Sequence, residues 1–361
     1  MIPIGIVAVA GVVPKTIPSP TISTTNFNAY TNNITISAPV GIPVSSYILE
    51  SSTSASGPWT SVYQGASASY QHTGLTQTTT YFYRARYSKG SLTSYVGNTF
   101  SRATRTSSVK SAQFRDNGTW TKPVGVTNVS YFLIGSGGNG GNALRRRYTA
   151  SRNTSAGGGG GAGQLIVVQN ATVPSAQTDY AITSGTGVST TFMGNTAIKG
   201  GNGATDGFTA AQTGAHGGGG GVVFNEDGLG IADVYQSGGT STIGGNSGGS
   251  AALNKSRISS VGGGGAGTGG AGGNATTSTS AGSGGSSSTV VLNGQSWSNI
   301  GAGGAGAYVD VVAAAPGANR SQATGFGQGG QGAQSGAEAT EGTTYTGGLG
   351  GKGAVVISWR D

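Results

Sequence analysis

Glycine limits what most of this chain can become. The sequence holds 72 glycines in 361 residues, and only eight of them precede residue 112. The rest arrive in bursts at 135–141, 157–163, 200–203, 217–221, 244–249, 262–273, 301–306, 325–332 and 347–353, with a weaker one at 282–285. Two structures are open to such runs. They can be flexible Gly/Ser linkers without a packed core. Alternatively, each can be a short left-handed helix of the polyproline II type, with three residues per turn and a rise of about 3.1 Å per residue. Such a helix makes no internal hydrogen bonds, so neighbouring helices can bond to one another, and only glycine lets backbones approach closely enough. The runs are bracketed by apolar, strand-like segments at 129–134 and 354–359, and the stretches between them are not monotonous Ser/Gly. That bracketing favours the ordered bundle.

Charge is sparse, at 8% of residues, and long blocks of one sign are absent, which argues against a solvated disordered tail. The net charge of +8 is unevenly spread. Residues 1–111 carry seven Lys/Arg against one acid, Glu50, whereas the glycine-rich remainder carries twelve against ten. No dense basic stripe or RNA-binding aromatic motif points to nucleic acid. There is no cysteine, so the fold needs no disulfide and the redox compartment stays open. Residues 1–13 are apolar, but no basic residue precedes them, Pro3 and Pro14 bracket the stretch, and it is too short to span a bilayer. Residues 1–18 therefore read as an arm that docks on a partner through Ile2, Ile4, Ile6, Val7 and Val9, with a signal peptide as the alternative. A chain that works outside a cell without a signal would be released by lysis, as a virus particle is.

Residues 19–105 alternate as short strands between turns: 33–37, 47–51, 59–63 and 82–87. Leu75 and Tyr81, followed by the alternating run Phe82-Tyr83-Arg84-Ala85-Arg86-Tyr87, resemble the corner and sixth strand of a fibronectin type III domain. That resemblance implies a β-sandwich with Tyr81, Tyr83 and Ala85 facing the core. Phe82, Arg84 and Arg86 then fall on the other face. The tryptophan often found on the second strand of that family is missing, and Ile34 and Ile36 stand available in its place. Such a module reads as a spacer or docking element.

Residues 106–112 lie in a polar stretch without apolar period and read as a linker, with the glycine-rich domain at 113–361. Phe114 and Trp120 flank an Asp-Asn-Gly turn, a hairpin signal, and a strand follows through Val126, Val129, Tyr131 and Leu133. The opening Gly118-Thr-Trp-Thr-Lys-Pro123 with the glycine burst behind it, and the closing Gly350-Gly-Lys-Gly-Ala-Val-Val-Ile-Ser-Trp359, resemble the glycine-rich distal adhesins of bacteriophage tail fibres. The resemblance spans 112–361. It implies a sandwich of polyglycine II helices that presents loops to the host surface. A fibronectin-like domain here stands where those adhesins carry a fibre-docking domain.

If successive runs alternate in direction, the loops between them alternate between two ends. With the weak burst at 282–285 left out, loops 142–156, 204–216, 250–261 and 307–324 would share the end away from the strands, and 222–243 and 333–346 the other; admitting that burst moves the last two loops, 307–324 and 333–346, to the opposite ends. That sorts the charges. Arg145, Arg146, Arg147, Tyr148 and Arg152, with Phe208, His216, Lys255 and Arg257, become the candidate receptor-binding set, while Glu226, Asp227, Asp233, Glu338 and Glu341 fall at the opposite end. Arg forks suit phosphate and carboxylate, and aromatic faces suit sugar rings, so an anionic host glycan, lipopolysaccharide or an outer-membrane protein is the expected partner. If the last strand pairs antiparallel with 129–134, the number of runs is even.

No catalytic constellation is visible. Only His72 and His216 occur, and Glu226 and Asp227 are sequence neighbours that a strand would point apart. Residues 200–206 approach a calcium-binding repeat, but the Asp falls one position late and the motif is not tandem. The expectation is an all-β plus polyglycine II protein with no enzymatic activity, no cofactor and no metal. The expected role is non-catalytic host recognition at the tip of a phage tail or tail fibre. It would act as a trimer or as a monomeric cap, in contact with other tail or fibre proteins. A structural virion component without a receptor is the alternative, and a bacterial surface adhesin a third reading.

Overall fold

The computed structural model describes residues 18–27, 29–90, 92–144, 153–205, 209–225, 234–254, 259–276, 280–310, 318–335, 339 and 343–360. Every regular element among them is a β-strand. The chain divides into two compact units, Met1–Ser108 together with Asp361, and Val109–Arg360.

The first unit is a sandwich of two antiparallel sheets. One sheet contains β1 (Thr21–Phe27), β2 (Asn32–Ser37) and β5 (Ser69–His72) in the order β1-β2-β5. The other has β4 (Thr60–Gly65), β3 (Ser46–Ser52), β6 (Thr80–Lys89) and β7 (Leu92–Thr93) in that order, with β8 (Phe100–Ala103) also on β6. Its core joins Ile34, Ile36, Leu49, Tyr83 and Ala85, with Tyr81 packed against it. Leu75 is buried, and the Tyr81 hydroxyl accepts the Thr76 N–H at 3.0 Å, closing the corner ahead of β6. On the opposite face of β6, Arg84 and Arg86 both donate to Glu50, at 2.7 and 3.0 Å, and Arg84 lies over the Trp59 ring. Burial pushes the Glu50 carboxyl up, but the Arg84 hydrogen bond and the two guanidinium charges outweigh it and hold it below its ordinary value.

The second unit is rooted in a four-stranded antiparallel sheet, in the order Leu165–Thr172, Asn128–Ile134, Ala354–Arg360, Val109–Phe114. Residues 109–112, expected within a linker, thus belong to this sheet. Both its faces are covered, which explains the unbroken apolar runs of its central strands. Val129, Tyr131, Leu133, Val355 and Ile357 pack with Trp120, Tyr180 and Phe192 on one side. Phe132, Ile134 and Val356 pack with Val290, Leu292 and Ile300 of a hairpin on the other.

Beyond this root the glycine segments form passes that are neither α-helix nor β-strand, and their hydrogen bonds recur at every third residue. Residues 157–163 show the pattern most fully. Gly157, Gly160 and Gly163 donate to Ala333, Gly330 and Gly327. Gly158 and Gly161 donate to Ala204 and Gly201, and Gly159 and Ala162 to Gly263 and Ala266. The carbonyls of the same pass accept from three further neighbours: Gly138 and Gly141, Gly219, and Gly304 and Ala307. Six neighbours therefore surround one pass, and no side chain fits between them. A Cβ at Gly158 would lie 2.0 Å from the Gly219 oxygen, and one at Gly159 1.9 Å from the Gly304 oxygen.

Passes alternate in direction, as the register of these bonds shows. Numbers rise together where 200 and 203 bond to 136 and 139, and run opposed where 138 and 141 bond to 161 and 158. Several passes carry little glycine. Residues 212 and 215 bond back to 202 and 199, 236 and 239 back to 221 and 218, and 320 and 323 forward to 346 and 349. The burst at 262–273 is two passes, with Gly264 bonded to Gly273 and Gly267 to Gly270. The last strand returns antiparallel to Asn128–Ile134, as an even number of passes requires.

Candidate functional site

The extra passes change which loops share an end. At the end opposite the root sheet, short strands flank the segments that join one pass to the next. Asn153–Ala156 pairs with Val222–Asn225 and Gln334–Ser335, and Val222–Asn225 pairs with Val234–Tyr235. Ala143–Leu144 pairs with Thr344–Tyr345, and Ser259–Val261 pairs with Ala252–Asn254 and Tyr308–Asp310. A small apolar cluster of Ala156, Val222, Ala251 and Ala307 lies beneath, with Leu253 against it. The Thr154 and Ser260 hydroxyls meet at 2.8 Å, and the Ser155 hydroxyl donates to the Leu144 carbonyl at 3.2 Å. These strands make a platform on the glycine bundle.

Arg145, Arg146, Arg147, Tyr148, Arg152, Phe208, Lys255 and Arg257 lie outside the described residues, as do Ile2, Ile4, Ile6, Val7 and Val9 and the acids Glu226, Asp227, Asp233, Glu338 and Glu341. The strands around 145–152 pair directly with those around 226–233 and 336–342. The expectation that the strands flanking 145–152 leave the opposite end from those flanking 226–233 and 336–342 is therefore corrected, because each glycine-poor pass reverses the chain once more than the bursts indicate.

His216 sits elsewhere. It occupies a root-side turn, where it is 7% exposed. Its Nδ1 accepts the Asn246 N–H at 3.1 Å, and its carbonyl accepts the Gly201 N–H. Burial holds its imidazole below the usual 6.5. A ring so enclosed has little surface to offer a receptor. Tyr235, by contrast, is 66% exposed on the platform, and Tyr345 and Tyr308 stand on neighbouring platform strands. Tyr235 and Tyr345 were not singled out by sequence reasoning; the available signal for Tyr345 was one aromatic residue in an otherwise polar inter-pass stretch, whereas Tyr235 stands in an apolar one that offers no such contrast.

The other histidine, His72, belongs to a core network. Its Nδ1 lies 3.0 Å from the Tyr83 hydroxyl, to which Asn32 Nδ2 also donates at 2.8 Å. Burial pushes the Tyr83 hydroxyl up to about 12 and the His72 imidazole below 6.5, so both are neutral near pH 7. Among the described residues no group of three or more His, Cys, Asp or Glu side chains could hold a metal ion, and no helix is long and apolar enough to cross a membrane.

A family described as a glycine-rich domain matches residues 108–360, most of the chain and the whole of the second unit. The chain belongs to that glycine-rich domain family. No curated protein matches it. Among solved structures, a fibronectin type III domain from a human protein aligns with 24% of this chain and 70% of its own, at 19% identity and a TM-score of 0.22. A two-domain fibronectin type III segment of chicken tenascin covers 45% of this chain and 81% of its own, at 18% identity and a TM-score of 0.22. A three-domain segment of titin aligns over 25% of this chain and 33% of its own, at 19% identity and a TM-score of 0.23.

Proposed function

We propose that the glycine passes are polyglycine II helices and that the protein is a non-catalytic adhesin at the tip of a bacteriophage tail or tail fibre. In this reading it recognises the host surface through the segments that emerge from the platform, and the fibronectin-like unit and the 1–18 arm serve attachment to other tail proteins. The observation that carries the reading is the convergence of the described strands around 145–152, 226–233, 255–258, 311–317 and 336–342 on one end of the second unit. A stiff, side-chain-poor block with many independent segments at one end suits presentation of a composite binding surface. Because the strands that flank the basic segment pair with those that flank the acidic ones, this reading gives net positive potential no part in drawing the receptor in. Local Arg forks and the exposed Tyr235 carry recognition instead, which suits a glycan bearing phosphate or carboxylate.

The test is adsorption of particles to host cells. Particles with Arg145→Ser, Arg146→Ser and Arg147→Ser together are expected to adsorb at least about tenfold more slowly, since charge-assisted hydrogen bonds contribute more than neutral ones. The thermal stability of the purified protein is expected to stay unchanged. Wild-type adsorption by the triple variant would remove the arginine segment from the site.

A further inference from the structure

The first unit holds a second arrangement of arginines, unrelated to the platform. Phe27 ends β1 in one sheet, while Arg102 lies on β8 in the other, with Arg105 just beyond it. The guanidinium carbons of Arg102 and Arg105 sit 3.4 and 4.5 Å from the centroid of the same Phe27 ring. They are therefore at most about 8 Å apart, close enough to repel each other. Neither has an acidic partner among the described residues. The only acid among the described residues of this unit, Glu50, already takes Arg84 on one oxygen and Arg86 on the other. Arg102 Nε is buried with no hydrogen-bond acceptor.

The frame that holds the pair is fixed. The Thr104 hydroxyl donates to the Thr76 carbonyl at 2.7 Å and accepts the Thr79 N–H at 3.0 Å. The Arg105 carbonyl accepts the Thr78 N–H, and the Ser107 N–H donates to Gln77 Oε1 at 3.1 Å. Two cations held over one ring, on a pinned backbone and without a counter-charge among the described residues, form a preorganised receiver for a compact anion. A phosphate monoester carries about −1.5 to −2 charges near pH 7, which matches two guanidinium groups, whereas a carboxylate carries one.

We propose that Arg102 and Arg105, held on Phe27, form a phosphate-binding subsite of the fibronectin-like unit. It is independent of the platform, so platform variants leave it intact. The test follows the Arg side-chain Nε–H signals of the full chain by NMR during titration with inorganic phosphate, glucose 6-phosphate or glucuronate, each against sodium chloride of equal ionic strength. Both phosphate probes are expected to shift the Arg102 and Arg105 signals saturably, with glucuronate binding more weakly. Tighter binding of glucose 6-phosphate would assign the subsite to a phosphorylated sugar, and equal affinities to phosphate itself. Arg105→Gln, at an exposed position, is expected to weaken phosphate binding about tenfold. Phe27→Leu, which keeps both charges but removes the ring, is expected to weaken it as well, while Arg84→Gln leaves it unchanged. Phosphate signals no different from the chloride control, or glucuronate binding as tight as phosphate, would overturn the proposal and leave the stack as a clasp between the two sheets.

Discussion

At Gly140 a methyl group would lie 1.9 Å from the carbonyl oxygen of Gln331 and 2.3 Å from its carbon. These atoms cannot step aside cheaply, because Gly140 N–H is bonded to Gly348 O at 2.9 Å and Gly348 N–H to Gln331 O at 2.8 Å. Overpacking a well-packed interior costs about 1–3 kcal/mol, and the obstructing atoms here are backbone. Gly140→Ala is therefore expected to lower the melting temperature of the second unit by about 5–10 °C, since about 2–4 °C is lost per kcal/mol in a unit of this size. Gly270 supplies the comparison. There the nearest atom is Ser286 Oγ at 2.9 Å, a hydroxyl that can rotate away, and the next is 3.8 Å distant. Gly270→Ala should change the midpoint by less than about 2 °C, within the usual range for surface substitutions. Calorimetry on the two variants checks the contrast, and equal effects would mean that the passes are not packed as described. Which glycine is indispensable was not legible in the sequence, since Gly140 and Gly270 differ only through residues far away along the chain. The corner of Leu75 and Tyr81 was legible, because its parts lie within a few residues of each other.

At the scale of the element, glycine content is an incomplete guide to where a pass runs. Residues 157–163 have neighbours on all sides and tolerate almost no side chains, whereas 209–213 and 318–323 lie at the perimeter and carry exposed or half-exposed ones. Gln212, for instance, uses its Oε1 to accept Asn202 Nδ2 at 2.9 Å, and Arg320 donates to Gln334 Oε1 at 3.1 Å. Sequence reasoning found the interior passes by their bareness and missed perimeter ones for lack of it, which is why its division of the loops into two charged ends failed. The root strands were found because apolar runs covered on both faces leave a pattern that needs no partner to recognise. The turn that holds His216 offers a test at this scale. Its folded pKa is lowered by burial, so above pH 6.5 the ring is neutral in both folded and unfolded chains and the stability is complete. As pH falls from 6.5 towards the lower folded value, the unfolded chain takes up the proton first and the second unit loses stability. Below that folded value the loss stops growing. His216→Asn keeps an acceptor for the Asn246 N–H and removes the titration, so the unfolding midpoint of the second unit should become less dependent on pH. The first unit, where His72 is depressed in the same sense, should keep its dependence in that variant.

At the scale of the whole molecule, the second unit is stabilised chiefly by two different means, an apolar root on which both faces of a sheet are packed and a glycine bundle in which backbone bonds backbone. Hydrophobic burial cannot account for the bundle, because its interior is nearly free of side chains. Its stability has to come from satisfied amides, and hydrogen exchange reads these directly. In residues 157–163 every N–H is bonded to one of three other passes, and those passes lie between further passes. Their exchange is therefore expected only through global unfolding of the second unit, as slow as that of the root strand Asn128–Ile134. Residues 270–275 belong to a pass that is more than a third exposed at several positions and has fewer neighbours. Their exchange should be faster than that of 157–163 and still slower than that of a free peptide. The measurement is amide exchange by mass spectrometry or NMR on the intact chain, with both segments compared with an unstructured Gly/Ser peptide. A flexible linker would exchange at the peptide rate in both segments, whereas strands lying on a fluid interior would show no gradient between centre and perimeter. A gradient that falls from the central pass outward, with the root sheet as slow as the centre, is the outcome that a three-dimensional lattice of backbone bonds requires.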